Sequence, residues 1–436
     1  GVGFAPVKPG DQNFLIQLME GVEDIPGTAL HEGIDWEWET FPEFLDAIER
    51  KEFVMDLGFM IGHGPVRSYV MGYDRCQNQV DASKDEINQM SEIVEKAINA
   101  GALGFSTSRT ILHRDVHGVY VPGTEASSEE MKELAFAVDR AGEGTLEIVS
   151  DWLDQEIEMS WMKEYVEKSD CGLTVLQTNG DSVKTILYCE EQFLKGKNVR
   201  PQFPGRNVGL MFGLESSLHP FIGHPSYKEI SHLPLNERLS IMRDPAFKQK
   251  ILNESPSFRE DLQKAAKEQK SNKTKEEIKA EAEIGKKLIS NYETQFILSD
   301  PPNYEPTRED SIAYIAEQRN QSEEEVIYDE LIKDNGKSLI YACFTPYENH
   351  KLEFVETFYK LKSSVAGGSD GGAHCGLICD ASMPTTNLSH WARDRSAGNK
   401  IPLELIIRKQ TKDTAETYGL FDRGEIKTGM IADIDI

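Results

Sequence analysis

The stretch Ser364-Val365-Ala366-Gly367-Gly368-Ser369-Asp370-Gly371-Gly372-Ala373-His374 reads as a buried strand that ends in an acid. Serine, valine and alanine carry the apolar end of the strand, and the glycines on both sides of Asp370 let backbone and substrate approach closely without Cβ clashes. An acid at the carboxyl end of a parallel barrel strand is in the right place for a ligand and proton shuttle. Taken alone, Asp-Gly is also an ordinary turn signal, so the surrounding chain has to decide between the two.

Working outward, apolar runs alternate with amphipathic helices. Met55 to Ile61 reads as a strand ending in Gly62-His63-Gly64, and a charged helix covers Lys84 to Ala100. Gly104 to Thr107 closes another strand. Ser127-Ser128-Glu129-Glu130 caps a helix that runs to about Arg140. Leu146 to Asp151 and Leu173 to Gln177 are strands on either side of a helix containing Trp161 and Tyr165, and Leu339 to Phe344, leading to Thr345-Pro346, and Ser364 to Asp370 are the last two. A closing helix spans Pro402 to Tyr418. Such repetition predicts parallel βα units. Between Asp244 and Thr294 charges of both signs alternate at helical spacing, which predicts a solvated helical insertion, with a lid over the strand ends as its functional alternative.

Several separated segments carry a resemblance. Gly1 to Val7, Leu18 to Ile48 (LMEGVEDIPGTALHEGIDWEWETFPEFLDAI), Gly101 to Thr110, Gly367 to Arg395 and Gly424 to Ile434 together resemble the N-acyl-D-amino-acid deacylase (D-aminoacylase) family of the amidohydrolase superfamily. The resemblance implies an α/β fold: a (β/α)8 TIM-like barrel of the metal-dependent amidohydrolase type, with a small β-sandwich built from the chain ends. It also implies hydrolysis of an amide bond at a divalent metal, usually zinc. On that template the chain is expected to lack the first strand and most of the accessory β-sandwich, as a piece truncated at both ends. The expected division is residues 1–205 for the first βα units, 206–300 for the helical insertion or lid, 301–420 for the last βα units and 421–436 for the start of the sandwich segment.

The same template implies the site. Asp370 is the expected metal ligand and general base, then acid, because amide hydrolysis needs an activated water and a proton for the leaving nitrogen. The family's His-x-His pair and its cysteine ligand are not in this sequence, and Val149-Ser150-Asp151-Trp152 and Leu176-Gln177-Thr178-Asn179 stand where histidine motifs are expected. Asp151 is the remaining candidate second ligand, since a carboxylate suits a hard divalent ion and an amide such as Gln177 binds one weakly. This chain by itself is therefore expected to hold no divalent metal tightly, the metal belonging to the complete protein. Candidate substrate-binding residues are His63, Arg109, Tyr120, Gln177, Arg206, His374 and Arg393; a guanidinium in a barrel mouth suits a substrate carboxylate by bidentate pairing. Each has a structural alternative: a loop-bonded histidine, a salt-bridged arginine, a capping His374.

Composition narrows the partners. Lys plus Arg number 47 against 74 Asp plus Glu, a net charge of −27, which disfavours nucleic acid and anionic membrane surfaces. A small-molecule substrate is expected, with a homo-oligomer open. The six cysteines (Cys76, Cys171, Cys189, Cys343, Cys375, Cys379) form no C-x-x-C knuckle, so reduced thiols and a cytoplasmic location are the default. Two readings stand side by side: an amidohydrolase, and a non-catalytic barrel that binds a small ligand or serves a structural role.

Overall fold

The computed structural model describes residues 1–152, 154–177, 183–257, 279, 286, 289–345, 347, 349–374, 376–378 and 380–434. The strands, in chain order, are β1 (Ile61–Gly62), β2 (Gly104–Arg109), β3 (Thr145–Ser150), β4 (Gly172–Leu176), β5 (Val199–Pro204), β6 (Val208–Phe212), β7 (Gln295–Ile297), β8 (Ile340–Thr345) and β9 (Val365–Gly367). Six of them form one wholly parallel sheet in the order β1-β2-β3-β4-β5-β9. The order never reverses, so successive right-handed crossovers set their helices on the same face.

That helix-covered face is apolar by register. Ile61, Phe105, Leu146, Leu173 and Val199 are aligned across five strands, and all five pack into one core with Val94 and Ile98, Leu134 and Val138, and Trp161 and Tyr165. Each such buried side chain stabilises the fold by about 2 kcal/mol relative to exposure. Local signals start the covering helices. Ser83 and Ser127 cap Lys84–Asn99 and Ser128–Ala141 by accepting from the backbone N–H groups of Glu86 and Glu130, and Asp154 does the same for Gln155–Lys168.

The opposite face is polar. Gly62, Ser106, Glu147, Thr174 and Arg200 are aligned on it. At the amino ends of the strands this face is stopped by the helix Lys412–Thr417 and Tyr418. Thr145 Oγ1 donates to the Thr417 carbonyl at 2.7 Å, Arg200 pairs with Glu416 at 3.0 Å, and the Tyr418 hydroxyl donates to Glu147 at 2.7 Å. The expected closing helix over Pro402–Tyr418 is thus two helices, Leu403–Gln410 and Lys412–Thr417. The architecture is α/β with a singly wound parallel sheet. Among the described residues the sheet is open, with β1 and β9 at its edges, and no closed barrel is formed.

Two expectations need correction. Of the Met55–Ile61 run only Ile61 pairs as a strand, together with Gly62; Val54, Met55 and Leu57 are exposed. Leu339 to Phe344 does form a strand, β8, but it lies between β6 and β7 in a separate antiparallel sheet, so Thr345 is not on the parallel rim. A second core joins Leu210, Phe212, Tyr227 and Met242 with Ile312, Tyr328, Leu331 and Ile340, so the insertion runs from β6 to β8. Most of the charged stretch between 258 and 288 lies outside the described residues.

Candidate functional site

All six parallel strands point their carboxyl ends the same way. Arg109 is the last residue of β2, and the segments that follow the other five carry His63, Asp151, Gln177, Arg206 and Asp370. What each side chain does there differs.

Asp370 lies three residues beyond β9 with a left-handed backbone (φ 39°), and it is exposed. Gly368 and Gly372 beside it have positive φ as well (76° and 100°), so an acid is presented on a loop that owes little to strand geometry. The Ala373 N–H closes a turn on the Asp370 carbonyl, and His374, also left-handed (φ 54°), accepts at its carbonyl from Leu377 and Ile378. Around this loop sit Glu23, Asp380 and Arg206. Burial raises the Glu23 carboxyl above its ordinary value; the negative charge of Asp370 adds to the rise while His374 opposes it. Burial likewise pushes Asp380 up to about 6, opposed by Arg206 and reinforced by Asp370. Arg206 is fully buried, 3.1 Å from Asp380, with its guanidinium 4.3 Å above the Tyr304 ring. His374 Nε2 lies 3.4 Å from Glu23 Oε2. Asp370, His374 and Arg206 are thus linked through two acids, Glu23 and Asp380, that sequence reasoning did not single out. Nearby, the Ser108 hydroxyl bonds His113 Nδ1 at 2.9 Å, and burial drives that imidazole down to about 3, so it is neutral near pH 7.

The remaining candidates are engaged elsewhere. His63 is fully buried between Thr107 Oγ1 (2.9 Å) and Glu130 (2.8 Å), on the helix-covered side against Phe105. Arg109 makes a bidentate pair with Glu158 and donates to the Ala126 carbonyl at 2.9 Å. Asp151 accepts the Ile111 N–H at 2.7 Å. Gln177 is buried, its amide N–H₂ bonded to the Leu176 carbonyl and its Oε1 without a hydrogen-bond donor. Tyr120 lies 4.3 Å beneath the Arg114 guanidinium, and Arg393 is exposed and paired with its neighbour Asp394. Thr178, Asn179, Pro346, Cys375 and Cys379 lie outside the described residues.

Among the described residues no group of three or more His, Cys, Asp or Glu side chains is arranged to hold a metal ion. A stable zinc site takes three or four protein ligands, so these residues do not by themselves fit the ion that the resemblance implies.

No family model matches the chain. Among curated proteins it is 30% identical over 120 residues to a D-aminoacylase of Alcaligenes xylosoxydans xylosoxydans, a match that covers 28% of this chain and 22% of that protein. It is also 30% identical over 70 residues to an uncharacterised protein of Mycobacterium tuberculosis, covering 16% of this chain and 12% of that one. Among solved structures, an N-acyl-D-glutamate deacylase from Bordetella bronchiseptica, complexed with zinc and a phosphonate mimic of the tetrahedral intermediate, is 16% identical with a TM-score of 0.48. That superposition covers 91% of this chain and 65% of the deacylase. The chain thus spans about a fifth of the curated D-aminoacylase it matches. The expected resemblance to D-aminoacylases is met by that relative, at low identity and over part of the chain.

Proposed function

We propose that the protein carrying this chain hydrolyses the amide bond of an N-acyl amino acid, with N-acyl-D-amino acids as the substrate class. The observation that supports this most directly is the 30% identity to a D-aminoacylase over 120 residues. The geometry agrees with it at one residue. Asp370 stands exposed beyond a parallel strand, on a glycine-flanked loop where a water and an amide can both approach.

In this reading Asp370 accepts a proton from the attacking water and returns it to the leaving nitrogen. Arg206, buried opposite Asp380, holds the loop's charge in balance rather than reaching for substrate. Arg109 is not the carboxylate receptor, because Glu158 already occupies its fork. A bound metal would polarise the amide carbonyl, and among the described residues no group of three His, Cys, Asp or Glu side chains stands ready to hold one, so the chemistry assigned to this chain is the proton transfer at Asp370.

The test is Asp370→Asn assayed against N-acyl-D- and N-acyl-L-amino acids. Removing the charge while keeping volume should lower turnover by roughly 10²–10⁴-fold and leave thermal unfolding in place. Unchanged turnover would sink the assignment. A second reading, a small-molecule-binding relative without catalysis, is favoured by the lack of a three-ligand group among the described residues. Wild-type protein with no turnover on either enantiomer, yet stabilised against heat by the same compounds, would select it.

A further inference from the structure

Three segments far apart in sequence meet at one carboxylate. Asp24 follows the helix Gln12–Glu23 with a left-handed backbone (φ 51°). Its carboxylate accepts the Ser217 hydroxyl at 2.8 and 2.9 Å and the Gly376 N–H at 3.0 Å. Beside it, the Glu23 carbonyl accepts the His374 N–H, and the Ser217 N–H donates to the Gly376 carbonyl at 3.0 Å. A Cβ at Gly376 would overlap Ser217 Oγ and come within 2.6 Å of Asp24 Oδ2, so the chains are in closest approach there. Among the described residues, the loop that carries Asp370 has no helix or strand of its own between β9 and the helix Met383–Thr386. On the insertion side it is held by the Leu377 carbonyl on the Met211 N–H (2.7 Å) and by a bridge from Leu210 to Ile378.

We propose that Asp24 is a positioning residue: it clamps the Asp370 loop to the amino-terminal helix and to the insertion at once, and so fixes where Asp370 points. Hydrogen bonds to an ionised carboxylate are roughly twice as strong as neutral ones, and here one from the loop (Gly376 N–H) and one from the insertion (the Ser217 hydroxyl, shared between both oxygens) converge on a single carboxylate. The inference that this aims a catalytic group rests on the hydrolase reading of Asp370; the clamp itself does not.

The experiment is hydrogen–deuterium exchange on the full chain, for wild type, Asp24→Ala, Asp24→Asn and Ser217→Ala, with turnover measured in parallel. In Asp24→Ala the amides of His374 and Gly376 should exchange roughly tenfold or more faster, as a local opening, while β2 to β4 keep their protection. Asp24→Asn should fall between, because an amide oxygen still accepts, and Ser217→Ala should free the loop less than Asp24→Ala. In the hydrolase reading kcat should fall roughly 10–100-fold with a smaller change in KM, as expected when a reacting group is misplaced rather than removed. Unchanged exchange at His374 and Gly376 in Asp24→Ala would overturn the clamp, whatever the turnover. Faster exchange with unchanged kcat would overturn its role in aiming Asp370. A wild type without turnover would remove the hydrolase reading and leave the exchange result to decide the clamp.

Discussion

At the scale of single residues, polar groups that look catalytic in a sequence are sorted by what has already neutralised them. His63 follows a strand between two glycines, yet its imidazole is spent on Thr107 and Glu130, and Arg67 joins the same carboxylate at 2.8 Å. Burial lowers His63 below its ordinary value of 6.5 in spite of Glu130. Burial would raise Glu130, but His63 and Arg67 bring it below its ordinary 4.5. Both folded values are depressed, so the unfolded chain takes up each proton first. Stability from His63 is present above about pH 6.5 and lost as pH falls toward its folded value; stability from Glu130 is present above about pH 4.5 and lost below it. Urea midpoints should therefore decline from pH 7 toward pH 4, with a shallower slope in His63→Gln. Equal slopes would show that the imidazole titrates freely. At neutral pH Glu130→Gln should cost roughly 3–5 kcal/mol, because it leaves the Arg67 charge buried without a counter-ion. A urea midpoint equal to wild type would show that Arg67 finds another partner.

Elements were legible where their signals are local. The capped helices Lys84–Asn99 and Ser128–Ala141 lie where their serines and first-turn acids place them, because a cap is satisfied within four residues. Strands were legible only as apolar runs. Nothing local says whether such a run pairs parallel or antiparallel, and β8 takes antiparallel partners from far along the chain, Phe212 opposite Ile340 on one side and Ile297 opposite Ile340 on the other. β5 was not recognised as a strand, since Arg200, Pro201 and Pro204 break the run. Pro201 is tolerated because β9 pairs with β5 only from Gln202 onward, so no ladder bond is required on that side. The candidate site divides the same way. Asp370 carries a local signal in its flanking glycines, while Asp24 and Asp380 carry none, because Asp24 meets Gly376 across 352 residues. The β6–β8 pair carries a test of its own. A Cβ at Gly209 would overlap the Tyr341 ring, which also donates to Asn207 Oδ1 at 2.6 Å and so cannot turn aside freely. Gly209→Ala should destabilise the insertion by roughly 1–3 kcal/mol in chemical denaturation. A neutral result would mean that the ring has an alternative rotamer.

At the scale of the whole molecule, the apolar cores behind the parallel sheet and inside the insertion are accompanied by a third, which gathers Phe203, Tyr341, Phe358 and Trp391, and buried charge lies beside it. Arg395 is almost fully buried and pairs with Glu305 at 2.9 Å and with Glu356 at 2.7 Å, tying the insertion to the helix Glu353–Lys360. The surface, in contrast, carries a large excess of one sign, with a net charge of −27. Salt acts on these in opposite ways. Exposed pairs such as Arg50–Glu37 and Lys195–Glu191 contribute little and weaken as ions screen them. The excess negative charge repels itself over distances beyond the Debye length, about 10 Å at 0.1 M, and that repulsion is what added salt removes first. The buried pairs Arg395–Glu305 and Arg67–Glu130 are hardly screened at all. With long-range repulsion the larger screened quantity, the thermal midpoint should rise by a few degrees between about 10 mM and about 0.3 M sodium chloride, where repulsion is already cut off within about 6 Å. Potassium chloride should match it, which separates screening from binding of one cation. A midpoint that falls with salt would show instead that exposed ion pairs outweigh the net charge in holding this chain folded.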